Sequence, residues 1–362
     1  AGIVDDDPLD VAIEKLRDFC EDEAVADLLG LASGVLEAVQ AERSQQEIAW
    51  AAREWAQRLA QEQPLVLVFE DIHWAEEPLL ELIEHLATWV REAPLLLVTL
   101  ARPELLDIRP GWGGGRVRAT AIELEPLGEL ESEELVDALM TDDDLTDADR
   151  RLVLDKTEGN PLFLEETVRM LSEEGAAGIG RIPDTLQALI AARIDRLAPE
   201  AKALLQRAAV IGRVFWEGAL ERLSPELDSL DAHLHDLRLR EFVLDEPRSS
   251  IRGETAFKFK HVLIREVAYS GLSKSARAEH HARFAEWLKE RAGEELLEIR
   301  AFHLDRATAL LAELDGSAPV ELQREAAEAL AEAGLRAFAR EANRSARQLF
   351  VRSVELEPTL RR

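Results

Sequence analysis

The sequence predicts an α/β segment followed by a mainly α-helical remainder. Two apolar runs, each opened by a proline, flank an amphipathic stretch between Pro64 and Leu100. After Pro126, apolar residues recur almost everywhere at helical spacing. The exception is a pair of short strand-like runs around residues 242–259. A chain of 362 residues has room for roughly two or three domains of ordinary size.

The α/β segment has the pattern of a strand–helix–strand unit, preceded by helices over residues 9–62. Leu65–Phe69 is a continuous apolar run, which is typical of a strand buried on both faces of a parallel sheet. A helix should follow, with Pro78 in its first turn. The second run, residues 95–100, then predicts a strand parallel to the first. We expect a third strand over residues 120–124.

The rest of the chain is predicted to be helical, with defined breaks. Thr146 and Asp149 have the spacing of a capping box at a helix start. Gly159-Asn160-Pro161 interrupts the helical pattern. Helices followed by two short strands predict a winged-helix unit at about residues 184–270. Amphipathic, alanine-rich helices over residues 274–362 suit a helical-repeat array.

Charge and cysteine content exclude several classes of function. Lys and Arg number 43 against 72 Asp and Glu, giving a formal charge of −29. Such a surface repels nucleic-acid backbones and anionic lipids, so we expect no direct nucleic-acid contact from this segment. No apolar run approaches the ~18 residues of a membrane helix, so no membrane association is expected. A single cysteine, Cys20, excludes a disulfide within the chain and favours a cytoplasmic location.

Acidic and basic residues follow the two predicted strands. Glu70 and Asp71 come directly after the first, and Arg102 comes after the second. Open α/β sheets bind ligands beyond the carboxyl ends of their strands, where an acid can hold Mg²⁺ and a second can polarise water. Alternatively, the acids only favour the positive end of the following helix. Arg102 could contact a terminal phosphate, or it could be an ordinary surface arginine.

No phosphate-binding loop is found in the chain. The pattern G-x-x-x-x-G-K-[ST] requires a Gly-Lys pair, and the sequence contains none. The glycine-rich stretch at residues 111–115 lacks the lysine and is interpreted as a surface loop. Zinc-protease, serine-hydrolase and thiol-redox motifs are also absent from the sequence.

Four strings taken together resemble one protein family. They are Leu-Val-Phe-Glu-Asp-Ile-His-Trp-Ala-Glu at 67–76, Ala-Arg-Pro-Glu-Leu at 101–105, Arg-Pro-Gly-Trp-Gly-Gly at 109–114 and Glu-Gly-Asn-Pro-Leu-Phe at 158–163. This combination resembles the signal-transduction (STAND-type) branch of AAA-like P-loop ATPases. It is most similar to bacterial members attached to adenylate or guanylate cyclase domains, and to the ATPase part of LuxR-type regulators. The resemblance extends through residues 208–215 and 259–269.

The resemblance implies a set of site residues for ATP or ADP and Mg²⁺. Glu70 and Asp71 match the Walker B pair, which serves metal binding and catalysis, and Arg102 matches a sensor arginine. Gly159, Asn160 and Pro161 match a motif whose proline packs against adenine. His261 resembles a winged-helix histidine that touches the nucleotide's phosphate, although Val262 stands where relatives usually carry aspartate. The alternative for His261 is a core or strand-end histidine.

The resemblance also implies a domain order and a function. Residues 1–126 would be the C-terminal part of a P-loop ATPase domain, 127–182 a helical lid, 183–271 a winged helix, and 272–362 the start of a helical-repeat (TPR-like) region. The phosphate-binding loop of the family lies upstream of the segment matching residues 5–8. We therefore expect these 362 residues alone to bind ATP weakly and not to hydrolyse it.

The expected role in the intact protein is an ATP-binding regulatory switch joined to a nucleotidyl cyclase domain. One alternative is the ATPase module of a LuxR-type transcriptional regulator. Another is a non-catalytic helical interaction scaffold. Expected partners are the nucleotide, and either other proteins or a second copy of the chain bound through the helical repeats.

Overall fold

A computed structural model describes most of the chain and divides it into two compact units. Unit 1 lies within Ala1–Ala121, Arg248–Gly253 and Leu288–Arg362, and unit 2 lies within Ile122–Pro247 and Glu254–Trp287. The described residues are 14, 15, 17, 18, 20, 25 and 26, then 45–91, 93–114, 118–140, 146–174, 182–227, 229–247, 249–293, 296–339 and 342–357. Most of the helices predicted before residue 45 therefore lie outside the described residues.

Unit 1 begins with the predicted strand–helix–strand segment, which is confirmed. Pro78 lies in the first turn of the connecting helix, where its missing N–H leaves no backbone partner unsatisfied. The elements in chain order are α1 (Gln45–Glu62), β1 (Leu65–Phe69), a 3₁₀ turn (Ile72–Trp74), α2 (Glu77–Trp89), β2 (Leu95–Thr99) and α3 (Glu104–Ile108).

β1 and β2 pair in parallel, with Leu65 opposite Leu95 and Phe69 opposite Thr99. One face of this pair packs against α1 and α2, where Leu65, Leu67 and Leu97 meet Ala52, Ala56 and Leu86. The other face is open among the described residues: Val66, Val68 and Leu96 are 55%, 53% and 56% exposed. Burial on both faces was therefore a wrong prediction, because helices cover a single face in the described part of the unit.

The predicted third strand, residues 120–124, is not a strand. Residues 119–128 have no regular secondary structure, and Ile122 and Leu124 are 79% and 85% exposed. The alternation that suggested a strand here does not bury either apolar side chain. Without a ladder partner or a buried face, an apolar–polar alternation has nothing to stabilise it as a strand.

The second part of unit 1 is helical and alanine-rich. Small residues allow close helix contact: a Cβ on Gly334 would lie 2.7 Å from the Phe350 ring. Ser353 Oγ also donates a hydrogen bond of 2.7 Å to the carbonyl oxygen of Ala327. Its helices are the end of α12 (Lys274–Arg291, shared with unit 2), α13 (Leu297–Asp315), α14 (Val320–Ala339) and α15 (Asn343–Leu356).

Unit 2 contains the remaining helices and a small antiparallel sheet. Thr146 and Asp149 form the predicted capping box at the start of α5. The elements are α4 (Glu129–Leu139), α5 (Asp147–Thr157), α6 (Pro161–Glu174), α7 (Leu186–Asp195), α8 (Pro199–Ile211), β3 (Val214–Trp216), α9 (Glu217–Leu223), α10 (Leu230–Leu239), β4 (Val243–Glu246), β5 (Ala256–Phe259) and α11 (Val262–Ser270).

The sheet of unit 2 has the strand order β3–β5–β4. The two strands expected near residues 242–259 are confirmed as the antiparallel pair β4 and β5. The third strand, β3, was not predicted, because a run of three residues between two helices is too short to show a strand pattern. Aromatic packing holds β3 in place, since the Phe215 ring lies 5.9 Å from that of Phe257 and 5.4 Å from that of Phe259.

A buried ion pair links α6 to α7. Arg193 donates a hydrogen bond to the Glu166 carboxylate, and both side chains are completely buried. Arg193 also donates to the carbonyl oxygen of Arg240 at 3.0 Å, and its guanidinium carbon lies 4.7 Å from the centroid of the Phe242 ring. One side chain therefore connects α6 and α7 to the turn that precedes β4.

A second charged cluster joins the same parts of unit 2 nearer to solvent. Arg169 and Lys260 each donate to the Glu241 carboxylate at 2.7 Å, and Lys260 also pairs with Glu165. The hydrogen bond from Arg169 is the main reason why the pKa of Glu241 is lowered to about 2, and Lys260 adds to the effect against the opposing influence of burial.

Among the described residues, no helix is both long enough and apolar enough to cross a membrane.

We predict that Arg193→Met lowers the free energy of unfolding of unit 2 by about 3–5 kcal/mol, because it leaves Glu166 buried without its charge partner. The double variant Arg193→Met, Glu166→Leu should recover much of this loss, since two apolar side chains need no partner. Urea unfolding followed by circular dichroism tests both. A single variant within about 1 kcal/mol of wild type would contradict the prediction.

We also predict a pH-dependent effect for Glu241→Gln. Because the folded-state pKa of Glu241 lies below its ordinary value of 4.5, its ionised form stabilises the fold above about pH 4.5, and this contribution disappears as the pH falls towards 2. The variant should be less stable than wild type by about 1 kcal/mol at pH 7, a modest value because the side chain is 42% exposed. The difference should shrink at pH 3, whereas exposed Glu123→Gln should show no such trend.

Candidate functional site

The acidic pair lies where β1 ends. Glu70 is exposed, and Asp71 adopts the left-handed conformation with φ 56° and ψ 32°. This turn is tied to the neighbouring strand, since the Leu100 N–H donates to the Phe69 carbonyl at 2.9 Å and the Ile72 N–H donates to the Leu100 carbonyl at 3.1 Å. The residues following β1 and β2 are thereby held side by side at the carboxyl edge of the sheet.

Arg102 lies on the same edge, two residues beyond Leu100, and its side chain is exposed. Its backbone N–H donates a long hydrogen bond, 3.4 Å, to His73 Nδ1. Its guanidinium carbon lies 5.8 Å from the centroid of the Trp74 ring. The structure thus brings Arg102 into contact with the turn that directly follows Glu70 and Asp71.

His73 and Trp74 were not among the predicted site residues. His73 is buried and Nε2 has no hydrogen-bond partner within the described structure, whereas Trp74 is 60% exposed. Both lie inside the string at 67–76 that carries the family resemblance. The contact could not be predicted from the sequence, because His73 and Trp74 lie 29 and 28 positions before Arg102 and only the pairing of β1 with β2 brings them together.

The acidic pair has the chemistry that Mg²⁺ requires. Mg²⁺ prefers oxygen ligands and is usually held by one or two carboxylates together with water and substrate phosphates. Glu70 and Asp71 supply two such carboxylates at an edge open to solvent. In the described portion of the chain, no three His, Cys, Asp or Glu side chains are grouped to bind a metal by themselves. The pair therefore fits a metal that is also bound by a nucleotide.

The Gly159-Asn160-Pro161 segment forms the junction between α5 and α6. Gly159 has φ +72° and packs so tightly that a Cβ there would lie 2.2 Å from the Leu127 carbonyl oxygen. The Leu127 N–H donates to the Gly159 carbonyl at 2.8 Å. Asn160 Oδ1 accepts from the Phe163 N–H at 3.0 Å, and Pro161 starts α6 with its ring exposed. The close backbone approach explains the glycine at 159, and the hydrogen bond to Phe163 explains Asn160. The ring of Pro161 is exposed and remains available for a ligand.

His261 caps the N-terminus of α11. Its Nδ1 accepts a hydrogen bond of 3.1 Å from the Leu263 N–H, so a neutral ring carries its proton on Nε2. A proton at Nε2 is the form needed to donate to a phosphate oxygen. The His261 ring is half-buried, which agrees with a strand-end histidine as well as with a ligand contact.

The predicted site residues therefore form two sets. Glu70, Asp71 and Arg102 share one sheet edge in unit 1. The junction motif at residues 159–161 and His261 lie in unit 2.

Comparison with known proteins supports a likeness in fold. No protein-family model matches the chain. An uncharacterized protein of Rhizobium meliloti (strain 1021) is 27% identical over 239 residues, covering 61% of this chain and 22% of its own length. The crystal structure of a Signal Transduction ATPase with Numerous Domains (STAND) protein with a tetratricopeptide repeat sensor, from Pyrococcus horikoshii, matches 98% of this chain and 50% of its own, with a TM-score of 0.53 and 16% identity.

The chain therefore has a mainly helical fold with small sheets that is similar to the fold of this neighbour. It spans about half the length of that structural neighbour and about a fifth of the length of the Rhizobium protein.

We predict that Gly159→Ala destabilises unit 2 by more than about 2 kcal/mol, because the new Cβ would collide with the Leu127 backbone. Gly316→Ala is the matched control: it has a similar φ of +82° but no atom within 4 Å, so it should cost only the conformational penalty of about 1 kcal/mol. Thermal unfolding measures both. Equal losses would contradict the close approach at Gly159.

Proposed function

We propose that the chain is part of the ATP-binding regulatory switch of a multidomain signalling protein. The observation that carries the proposal is the joining of Glu70, Asp71 and Arg102 at the carboxyl edge of a parallel strand pair. Open α/β sheets bind ligands at this edge. The fold likeness to a STAND protein supports the same assignment.

In this proposal each residue has a defined task. Glu70 and Asp71 bind Mg²⁺ together with the nucleotide phosphates, and one of them orients the attacking water. Arg102 contacts the terminal phosphate and so distinguishes ATP from ADP. Pro161 offers its exposed ring to the adenine, and His261 donates a hydrogen bond from Nε2 to a phosphate oxygen. The Mg²⁺ supplies positive charge that stabilises the phosphates.

In this proposal the phosphate-binding loop lies outside these 362 residues, because the sequence contains no Gly-Lys pair. The longer relatives leave room for such a segment, since the chain covers 22% of one and 50% of the other. Without the amides and lysine of that loop, a surface of charge −29 offers a nucleotide few favourable contacts. We propose that the 362 residues alone bind ATP weakly and do not turn it over.

The wider role follows from the proposed order of a partial ATPase domain (1–126), a helical lid (127–182), a winged helix (183–271) and TPR-like repeats (272–362). ATP exchange and hydrolysis would switch these parts between two arrangements in the cytoplasm, and the repeats would bind partner proteins or a second copy. The output would be a nucleotidyl cyclase domain or, alternatively, the DNA-binding domain of a LuxR-type regulator. A cyclase or DNA-binding sequence in the same reading frame distinguishes these outputs.

A non-catalytic helical scaffold is the second candidate function. It is supported by the alanine-rich helices α13 and α14 and the helix α15 that follows them, which account for much of unit 1 and require no nucleotide. The coding sequence before Ala1 separates the two candidates. A G-x-x-x-x-G-K-[ST] motif there favours the switch, and its absence favours the scaffold.

We predict that Glu70→Gln, Asp71→Asn and Arg102→Ala each reduce Mg²⁺-dependent ATP hydrolysis by about tenfold or more in a protein extended to include its phosphate-binding loop. Each change removes one charge that acts on the phosphates or their metal. Nucleotide binding should be measured alongside by calorimetry, because the two acids should affect it mainly when Mg²⁺ is present.

Exposed residues elsewhere in unit 1 provide the controls. Glu62→Gln and Arg91→Ala remove the same kinds of charge just before β1 and β2, at the amino ends of the strands, and should leave both measurements unchanged. Unchanged binding and hydrolysis in all three site variants would eliminate the site assignment. Turnover of ATP by the 362 residues alone would contradict the need for an external loop.

A further inference from the structure

The position of the Arg102 side chain requires an explanation. Arg102 is exposed, and a free arginine side chain loses about 2 kcal/mol of rotamer entropy when it is held in one place. An arginine that detects one phosphate group must nevertheless be held in position before the nucleotide binds. Otherwise part of the free energy of binding is lost in ordering the arginine side chain. A contact that restricts the side chain in advance would meet this requirement.

The turn after β1 provides such a contact. The Arg102 guanidinium carbon lies 5.8 Å from the Trp74 ring centroid, within the range in which a cation is attracted to an aromatic face. The indole is itself held against His73, with ring centroids 4.6 Å apart and an angle of 44° between the planes. His73 in turn accepts the hydrogen bond from the Arg102 backbone.

Folding alone does not require the indole at this position. Trp74 is 60% exposed, whereas the core beneath the turn is formed by other side chains, including Ile72, Leu80, Ile83 and Leu105. An exposed tryptophan contributes little burial, so its removal should cost little stability. Burial of apolar surface therefore does not explain why the Trp74 ring lies beside the Arg102 guanidinium.

We propose that Trp74 is a positioning residue for Arg102, and that it holds the guanidinium ready for the terminal phosphate of ATP. This inference rests on the proposed function. It adds Trp74 as the residue that links the acidic turn after β1 to Arg102 after β2. His73 fixes the backbone of Arg102, and Trp74 fixes its side chain.

The proposal predicts a selective loss of ATP binding. In the protein extended to include its phosphate-binding loop, Trp74→Leu should weaken Mg²⁺–ATP binding by about two- to fivefold, the size expected for an exposed cation–π contact, and leave ADP binding unchanged. Trp74→Phe should restore part of the loss, since phenylalanine keeps an aromatic face. In an Arg102→Ala background, Trp74→Leu should have no further effect, because the positioned group is gone.

Trp89→Leu is the matched control. Trp89 is the last residue of α2, is 53% exposed like Trp74, and pairs with His85 rather than with Arg102. Its replacement should leave the ATP-to-ADP affinity ratio at the wild-type value. Equal loss of ATP and ADP binding in Trp74→Leu, or an additive loss with Arg102→Ala, would overturn the proposal.

A measurement without nucleotide separates this inference from the proposed function. In the 362-residue chain, the Nε–H resonance of Arg102 should shift in Trp74→Leu and not in Trp89→Leu, because the Trp74 ring lies 5.8 Å from the guanidinium carbon and Trp89 pairs with His85. An unchanged resonance overturns the positioning contact. If the resonance shifts but the extended wild-type protein binds no ATP, the contact stands, and both the proposed function and the phosphate-directed role of Trp74 fail.

Discussion

The buried ion pair between Arg193 and Glu166 constrains how the helices of unit 2 pack around it. Two charges with no solvent exposure are tolerated only when each satisfies the other, so α6 and α7 must keep their relative position for the pair to exist. The same arginine reaches the Arg240 carbonyl and the Phe242 ring, which extends the constraint to the turn before β4. The cluster around Glu241 adds weaker links at the rim. Together these contacts join α6 and α7 to the small sheet within unit 2.

A different constraint acts in unit 1, where two short strands pair in parallel. Parallel pairing brings the residues after both strands to one edge, so acids and an arginine about 30 positions apart in the chain become neighbours. Asp71 adopts a left-handed conformation as the chain turns away from β1, and the Ile72 N–H then bonds to the end of β2. The site therefore depends on two backbone hydrogen bonds as much as on its charged side chains.

The sequence predicted those features that are set locally. The strand–helix–strand order, the Thr146 capping box and the strand pair β4 and β5 each follow from a few neighbouring residues. The sequence could not predict whether further helices cover the sheet face that carries Val66 and Val68, because the burial of that face depends on distant parts of the chain. Residues 120–124 had the alternation of a strand but no ladder partner. The contact between Trp74 and Arg102 was missed for the same reason, since it joins two loops that only the sheet brings together.

The motif residues differ in how far folding alone explains them. Gly159 and Asn160 are required by the junction between α5 and α6 whether or not a nucleotide binds, so they would be kept by a scaffold as well as by a switch. Glu70, Arg102 and Trp74 are different, because all three are exposed and bury little surface. A protein that only packs helices gains almost nothing from an acid, a guanidinium and an indole at one sheet edge. Their grouping is therefore the stronger support for the switch over the scaffold.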